Sequence, residues 1–228
     1  MRAMILAAGR GERMRPLTDQ LPKPLLSVAG KPLIVWHIEK LKAAGITEIV
    51  INHAWLGDQL EAALGDGQQF GVQIAWSPEA PGGLETAGGI RQALPLLGEE
   101  PFWVVNGDIW LAGDYGPLLC PLPAAALGHL WLVANPPQHP AGDFALTQGR
   151  VAIKTADQPS YTFSGLACYR PEAFAEEPLG RAPLRPLFER WIAAGQLAGA
   201  CVDRDWEDVG TPARLAALDA RLRQEQGA

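Results

Sequence analysis

Cysteine is nearly missing from this chain. The three present, Cys120, Cys168 and Cys201, stand far apart and form no Cys-x-x-Cys spacing. That argues against a disulfide framework or a zinc site, and for free thiols in a reducing cytosol. No apolar run is long enough to cross a bilayer, the most apolar stretch being Ala124 to Asn135. The opening run, Met4 to Ala8, is shorter still and leads straight into Arg10, Glu12 and Arg13, so no secretory signal is expected. The four histidines, His37, His53, His129 and His139, lack metal-ligand spacing, and no serine or cysteine sits in a nucleophile elbow. Structural roles are expected for all four, with His53 nearest a crevice. Internal repeats and low-complexity segments are absent.

What is present is ordinary globular material. Hydrophobic residues make up 48 % and charged residues 19 % of 228 positions, which excludes a disordered chain and suits one domain with a sizeable core. The 25 glycines and 20 prolines point to many turns. The net charge of −6 is unevenly spread: residues 1–42 carry eight Arg/Lys against three Asp/Glu, and the rest eleven against twenty-two. An acidic protein with one basic end is a poor binder of long nucleic acid and a better host for small phosphorylated ligands. The expectation is a cytoplasmic protein with small-molecule substrates, bound to neither nucleic acid nor membrane, and a monomer or weak homo-oligomer.

Short apolar runs alternate with helical segments. Ala3–Ala8, Glu48–Asn52, Val72–Trp76 and Phe102–Asn106 read as strands. Pro32–Ala44, Trp55–Leu64 and Ala87–Leu97 read as helices between them. This rhythm predicts an α/β fold, a Rossmann-like, mostly parallel sheet flanked by helices. After Asp108 the pattern becomes mixed α/β. Strands are expected near Leu127–Asn135, Phe144–Leu146, Val151–Ile153 and Thr162–Tyr169. Helices are expected at Pro183–Ala194 and from Pro212 to about Gln224, with the last few residues frayed. Residues 1–228 read as one domain: a nucleotide-binding half to about 108, then an acceptor-binding half.

The densest signal is the loop after the first strand, Leu6-Ala7-Ala8-Gly9-Arg10-Gly11-Glu12-Arg13-Met14-Arg15-Pro16-Leu17-Thr18, followed by Pro22-Lys23-Pro24-Leu25. Two glycines let backbone N–H groups approach an anion. The carboxyl end of a parallel strand opens onto the crevice where ligands bind. Arg13 offers a permanent forked cation for phosphate oxygens. Lys23 sits between two prolines, so its charge is held nearly fixed. A dinucleotide fingerprint would need a third glycine where Met14 stands, and no Gly-Lys-Ser/Thr of a Walker loop occurs.

This string resembles the signature of sugar-1-phosphate nucleotidyltransferases, whose fold is GT-A-like. The resemblance continues in Leu84-Glu85-Thr86-Ala87-Gly88-Gly89, in Asn106-Gly107-Asp108 and in Trp206-Glu207-Asp208-Val209-Gly210-Thr211-Pro212. Within the family, the short length and the run Ile51–Gly57 are most like the branch that uridylylates N-acetylmuramate 1-phosphate in bacterial cell-wall recycling. No hexapeptide β-helix repeat follows, unlike the bifunctional N-acetylglucosamine-1-phosphate enzymes.

The resemblance implies a site residue by residue. Lys23 and Arg13 are the catalytic cations. Ala8, Gly9, Gly11, Glu12, Arg13, Lys23, Glu85, Thr86 and Gly88 face the nucleotide, although Leu84–Gly89 also reads as a plain helix-capping segment. Asn106, Asp143, Lys154 and Gly165 face the sugar phosphate. Lys154 lacks the usual Glu-Lys-Pro context and reads equally as an exposed strand-end lysine, and Arg181 is a further cation for an acceptor carboxylate. Apart from the resemblance, the eight tryptophans read mostly as core, with Trp55 and Trp206 the two weighed as site-lining. Asp108 and Asp208, each also able to cap a turn or helix, are the Mg²⁺ ligands, since this ion takes one or two protein carboxylates and otherwise phosphate and water. The implied reaction joins a nucleotide to a sugar-1-phosphate. Alternatives are a mannose-1-phosphate guanylyltransferase or related hexose-1-phosphate enzyme, and an inactive nucleotide-sensing subunit, which would be expected to lose Lys23, Asp108 or Asp208.

Overall fold

A computed structural model describes residues 1–227. The chain opens with β1 (Ala3–Leu6), uncharged and buried from Ala3 to Ile5. A loop with three short 3-10 turns, Glu12–Met14, Leu17–Asp19 and Lys23–Leu25, follows. A small ribbon, β2 (Ser27–Val28) with β3 (Lys31–Pro32), leads into α1 (Leu33–Ala43). Pro32 stands just before that helix and Gly45, at φ +83°, just after it, so proline and glycine set its two ends. The alternation continues through β4 (Glu48–His53), α2 (Gly57–Leu64), β5 (Gln73–Pro78), α3 (Glu85–Leu97) and β6 (Phe102–Asn106). Then come β7 (Ile109–Leu111), β8 (Gly128–Val133), β9 (Phe144–Thr147), β10 (Arg150–Ile153) and β11 (Ser160–Tyr169). The chain ends with α4 (Glu172–Ala175), α5 (Arg185–Ala193), β12 (Leu197–Cys201), β13 (Trp206–Asp208) and α6 (Pro212–Gly227).

Nine strands form one sheet in the order β5-β4-β1-β6-β11-β8-β12-β10-β9. The first four in that order are parallel, as the βα rhythm predicts, while β11 runs antiparallel to both β6 and β8. Strand alternation sends Ile5, Ile51 and Val105 to one face, against Ile34 and Ile38 of α1 and Leu60 of α2. It sends Met4, Val50 and Val104 to the other, against Ile90 of α3 and Phe188 and Trp191 of α5. Burying each such aliphatic side chain contributes about 1.5–3 kcal/mol. A third cluster lies beneath α6, where Leu218 and Leu222 pack on Met14, Leu26, Val28, Trp110 and Val209. That cluster seats the β1 loop against the last helix.

Several boundaries differ from the sequence expectation. Leu56 adopts φ +52°, so α2 starts at Gly57 rather than Trp55. The last helix does not fray early but extends to Gly227. β12 was not expected: Leu-Ala-Gly-Ala-Cys carries no β-branched residue, and its parallel register with β8 is imposed by tertiary pairing. The three-residue strands β7 and β13 were also unforeseen, and they matter most for the site.

Candidate active site

The β1 loop is held open by its neighbours. Asn52 at the end of β4 is 3 % exposed and its Oδ1 accepts from the Ala7 N–H at 2.9 Å. Its Nδ2 donates to Glu79 at 2.6 Å, and the second Glu79 oxygen accepts from the Leu84 N–H at 2.7 Å. One buried carboxylate thus ties the β1 loop to the start of α3. Gly11 adopts φ +67° and packs where a Cβ would meet Thr18 at 3.0 Å and Lys23 at 3.3 Å, so only glycine fits without strain. Trp55 donates its indole N–H to the Thr18 carbonyl, and the Arg10 guanidinium lies 3.8 Å above its ring.

The loop walls a cleft of about 1180 Å³ at the carboxyl ends of β1, β4 and β6. Ala8, Gly9, Gly11, Glu12, Arg13, Lys23, Glu85 and Thr86 line it, together with Trp55, His53 and Glu79. Lys23 is 7 % exposed, yet its ammonium reaches Asp108 at 2.7 Å. Glu85 sits at φ +58° with its carboxylate on Arg181 at 2.7 Å. Gly88 is not brought to the cleft. Its N–H is donated to the Ala182 carbonyl at 3.1 Å, and a Cβ there would strike the Gly180 carbonyl at 2.2 Å. Its role is close packing of α3 against the 180–182 segment.

Asp108 and Asp208 stand one hundred positions apart and meet through β7 and β13. These strands pair antiparallel with Ile109 opposite Asp208, and the Val209 N–H donates to the Asp108 carbonyl at 2.9 Å. Both side chains line a second cavity of about 260 Å³. Each carboxylate has a cation beside it: Lys23 for Asp108, and Arg214, at 3.2 Å, for Asp208. Two carboxylates bordering one cavity are a donor set that fits a hard divalent cation.

Asn106 and Gly165 line this second cavity with Thr162, Phe163, Trp206 and His139. Gly165 adopts φ +82°, and a Cβ there would fall 2.9 Å from the Asn106 side chain. Arg13, Asn106 and Asp108 line both cavities and mark where they join. Asp143 and Lys154 do not reach the lining. The Asp143 carboxylate accepts from the Phe163 N–H at 2.9 Å and from His139 at 3.0 Å. The Lys154 ammonium donates to the Ala141 and Gly142 carbonyls at 2.9 and 2.6 Å. Sequence reasoning missed Asn52, Glu79, His139, Thr162 and Arg214. Only Arg214 had a local signal, standing one helical turn after Thr211 at the start of α6.

A glycine-bearing loop at a parallel-sheet switch, a buried lysine and two joined cavities around paired aspartates are features of a transferase of phosphorylated groups. A family model described as nucleotidyl transferase matches residues 2–146. A relative from Neisseria meningitidis serogroup B, called N-acetylmuramate alpha-1-phosphate uridylyltransferase, is 55 % identical over 96 % of this chain and 97 % of its own. A relative of the same name from Caulobacter vibrioides is 36 % identical over 97 % of both chains. The chain therefore belongs to the nucleotidyl transferase family. Among solved structures, the inositol-1-phosphate CTP transferase from T. maritima shares the fold, with a TM-score of 0.75 at 17 % identity over 100 % of this chain and 97 % of that one.

Proposed function

We propose that this protein is a sugar-1-phosphate uridylyltransferase. It transfers UMP from UTP to N-acetylmuramate α-1-phosphate and releases pyrophosphate, in cytoplasmic recycling of cell-wall sugar. The observation that carries the reading is the junction: Arg13, Asn106 and Asp108 are shared by the larger cleft and the smaller cavity, as two phosphorylated substrates meeting at one phosphorus atom require. The substrate identities rest on the relatives described above. The two halves of the chain, to about 108 and beyond it, take the nucleotide and the acceptor respectively.

A phosphate monoester has a second pKa near ~6 and is already nucleophilic at neutral pH. No general base is needed, so catalysis reduces to positioning and charge stabilisation. Backbone N–H groups of Gly9–Glu12 and the Arg13 guanidinium hold the β- and γ-phosphates. Lys23 neutralises charge gathering on the α-phosphoryl group as the acceptor oxygen attacks in line. Glu85 and Thr86 line the nucleobase end of the cleft. Asn106 and the Gly165 turn orient the acceptor phosphate. Mg²⁺ held by Asp108 and Asp208 supplies further neutralisation of phosphate charge when bound.

The test is pyrophosphate release with Mg²⁺ across UTP, GTP, dTTP and CTP, each against N-acetylmuramate, mannose and glucose 1-phosphates. UTP with N-acetylmuramate 1-phosphate is expected to lead. Preference for GTP with mannose 1-phosphate would move the protein to the guanylyltransferase branch. No release with any pair would indicate a nucleotide-sensing protein.

A further inference from the structure

The proposed acceptor differs from N-acetylglucosamine 1-phosphate by a carboxylate borne on an ether at C3, and a pocket that selects it needs a donor for that charge. Gln138 and His139 enter the smaller cavity from a strap, residues 136–142, between β8 and β9. The strap is tightly held. Asn135 donates to the Ser160 and Pro140 carbonyls at 3.0 and 3.2 Å. The Ser160 hydroxyl donates to the Ala141 carbonyl at 2.9 Å. Lys154 clamps the Ala141 and Gly142 carbonyls. Gly142, at φ +60°, packs where a Cβ would fall 2.4 Å from Asn135. A strap fixed this way presents its side chains with little freedom left to lose on binding.

Two other donors around the cavity are already engaged, and Gln138 and Asn106 offer only uncharged amides. The Trp206 indole N–H is donated to the Ser164 carbonyl at 2.8 Å, and the Thr162 hydroxyl to Asn135 at 3.0 Å. Arg13 belongs equally to the nucleotide cleft. His139 is different. Its Nε2 sits 3.0 Å from Asp143, whose other oxygen is fixed by the Phe163 N–H. A carboxylate can only accept, so Nε2 carries the proton. Nδ1 has no protein partner among the described residues. An imidazole oriented by a carboxylate on one nitrogen can carry a second proton on the other and donate it to an anion.

We infer that His139, oriented by Asp143 on the strap that Lys154 pins, reads a carboxylate borne by the acceptor sugar. This rests on the uridylyltransferase reading above. Asp143 and Lys154 are then positioning residues, acting through His139 and the strap.

The test compares kcat/KM for N-acetylmuramate 1-phosphate and for N-acetylglucosamine 1-phosphate, the same sugar without the carboxylate-bearing ether, at saturating UTP and Mg²⁺. His139→Ala is expected to lower the ratio of the two about 10- to 100-fold, mainly through KM of the carboxylate acceptor. Lys154→Met is expected to lower the same ratio, and Lys154→Arg, which can still reach the carbonyls, to retain it. An equal loss on both sugars in His139→Ala, or no loss, overturns the assignment. An equal loss on both in Lys154→Met would put Lys154 on the shared phosphate and overturn its part as a pin. Wild-type protein inactive toward N-acetylmuramate 1-phosphate refutes the parent reading and this one with it. Wild-type protein that prefers that acceptor, with the ratio unchanged in His139→Ala, refutes only the role of His139.

Discussion

Replacing Lys23 with methionine should separate its two jobs. The stem packs against the Gly11 turn, so a side chain of similar length keeps the local packing. The lost ammonium lies 2.7 Å from Asp108, in a pair whose side chains are 9 % and 39 % exposed. Solvent reaches Asp108, so the pair contributes about 1–2 kcal/mol, between a surface bridge and a buried one. Removing the cation frees Asp108, and a divalent ion should bind the nucleotide-free protein about 5- to 30-fold more tightly. Turnover should move the other way. Losing a preorganised cation at the reacting phosphorus lowers kcat about 100- to 1,000-fold. Isothermal titration with Mn²⁺ and a pyrophosphate-coupled assay measure the two effects on one preparation. A variant that turns over within tenfold of wild type, or binds metal no better, refutes the reasoning.

Three further outcomes follow from named contacts. Gly165→Ala forces an L-residue to φ +82° against Asn106, and should lower kcat/KM for the acceptor about 10- to 100-fold while KM for UTP stays near wild type; a matching rise in KM for UTP would contradict the division of the two cavities. Asp208→Asn removes one of two proposed metal carboxylates, and the Mg²⁺ concentration for half-maximal rate should rise about 10-fold or more. His37 of α1 is fully buried, with its pKa lowered from 6.5 to about 3, first by burial and then by the nearby Lys40 charge. The unfolded chain takes up this proton near pH 6.5 and the folded one only near pH 3. Stability should therefore fall as pH drops through that interval, by about 1.4 kcal/mol per pH unit from this residue. His37→Leu should flatten the acid limb of Tm against pH, and an unchanged limb would locate the acid sensitivity elsewhere.

The geometry of the first half was legible because its signals are local. Gly9 to Lys23 is one uninterrupted segment, and the parallel sheet that presents it follows from alternating runs. Asp108 was legible as standing two residues past a strand end. The acceptor half was harder for a physical reason: its side chains are assigned by contacts between distant segments. Lys154 stands eleven positions before Gly165, which suggested a phosphate ligand, yet its ammonium is taken up by the carbonyls of Ala141 and Gly142. Gly88 suggested an approach to a nucleobase, and the close approach is instead to the backbone of Gly180 and Ala182. Glu79 lies in a Pro-rich turn that reads as surface, but Asn52 and Leu84 draw it into the base of the cleft.

The pairing of both aspartates with cations also bears on the order of events. A metal ion alone must displace Lys23 from Asp108 and compete with Arg214 for Asp208, with nothing to receive either charge. A triphosphate changes that balance, because its oxygens give Lys23 a new anion and give the metal most of its ligands. Metal and nucleotide are therefore expected to bind with positive coupling, each tightening the other by the same factor. Asp108 and Arg13 border both cavities, so the wall of the acceptor cavity reaches its working charge only after the nucleotide is seated. Before that, the Asp108 and Asp208 carboxylates are taken up by Lys23 and Arg214, and no metal yet stands between them and an incoming sugar phosphate. An acceptor that carries a second anionic group has the most to gain from waiting, and nucleotide before acceptor is the order this geometry favours.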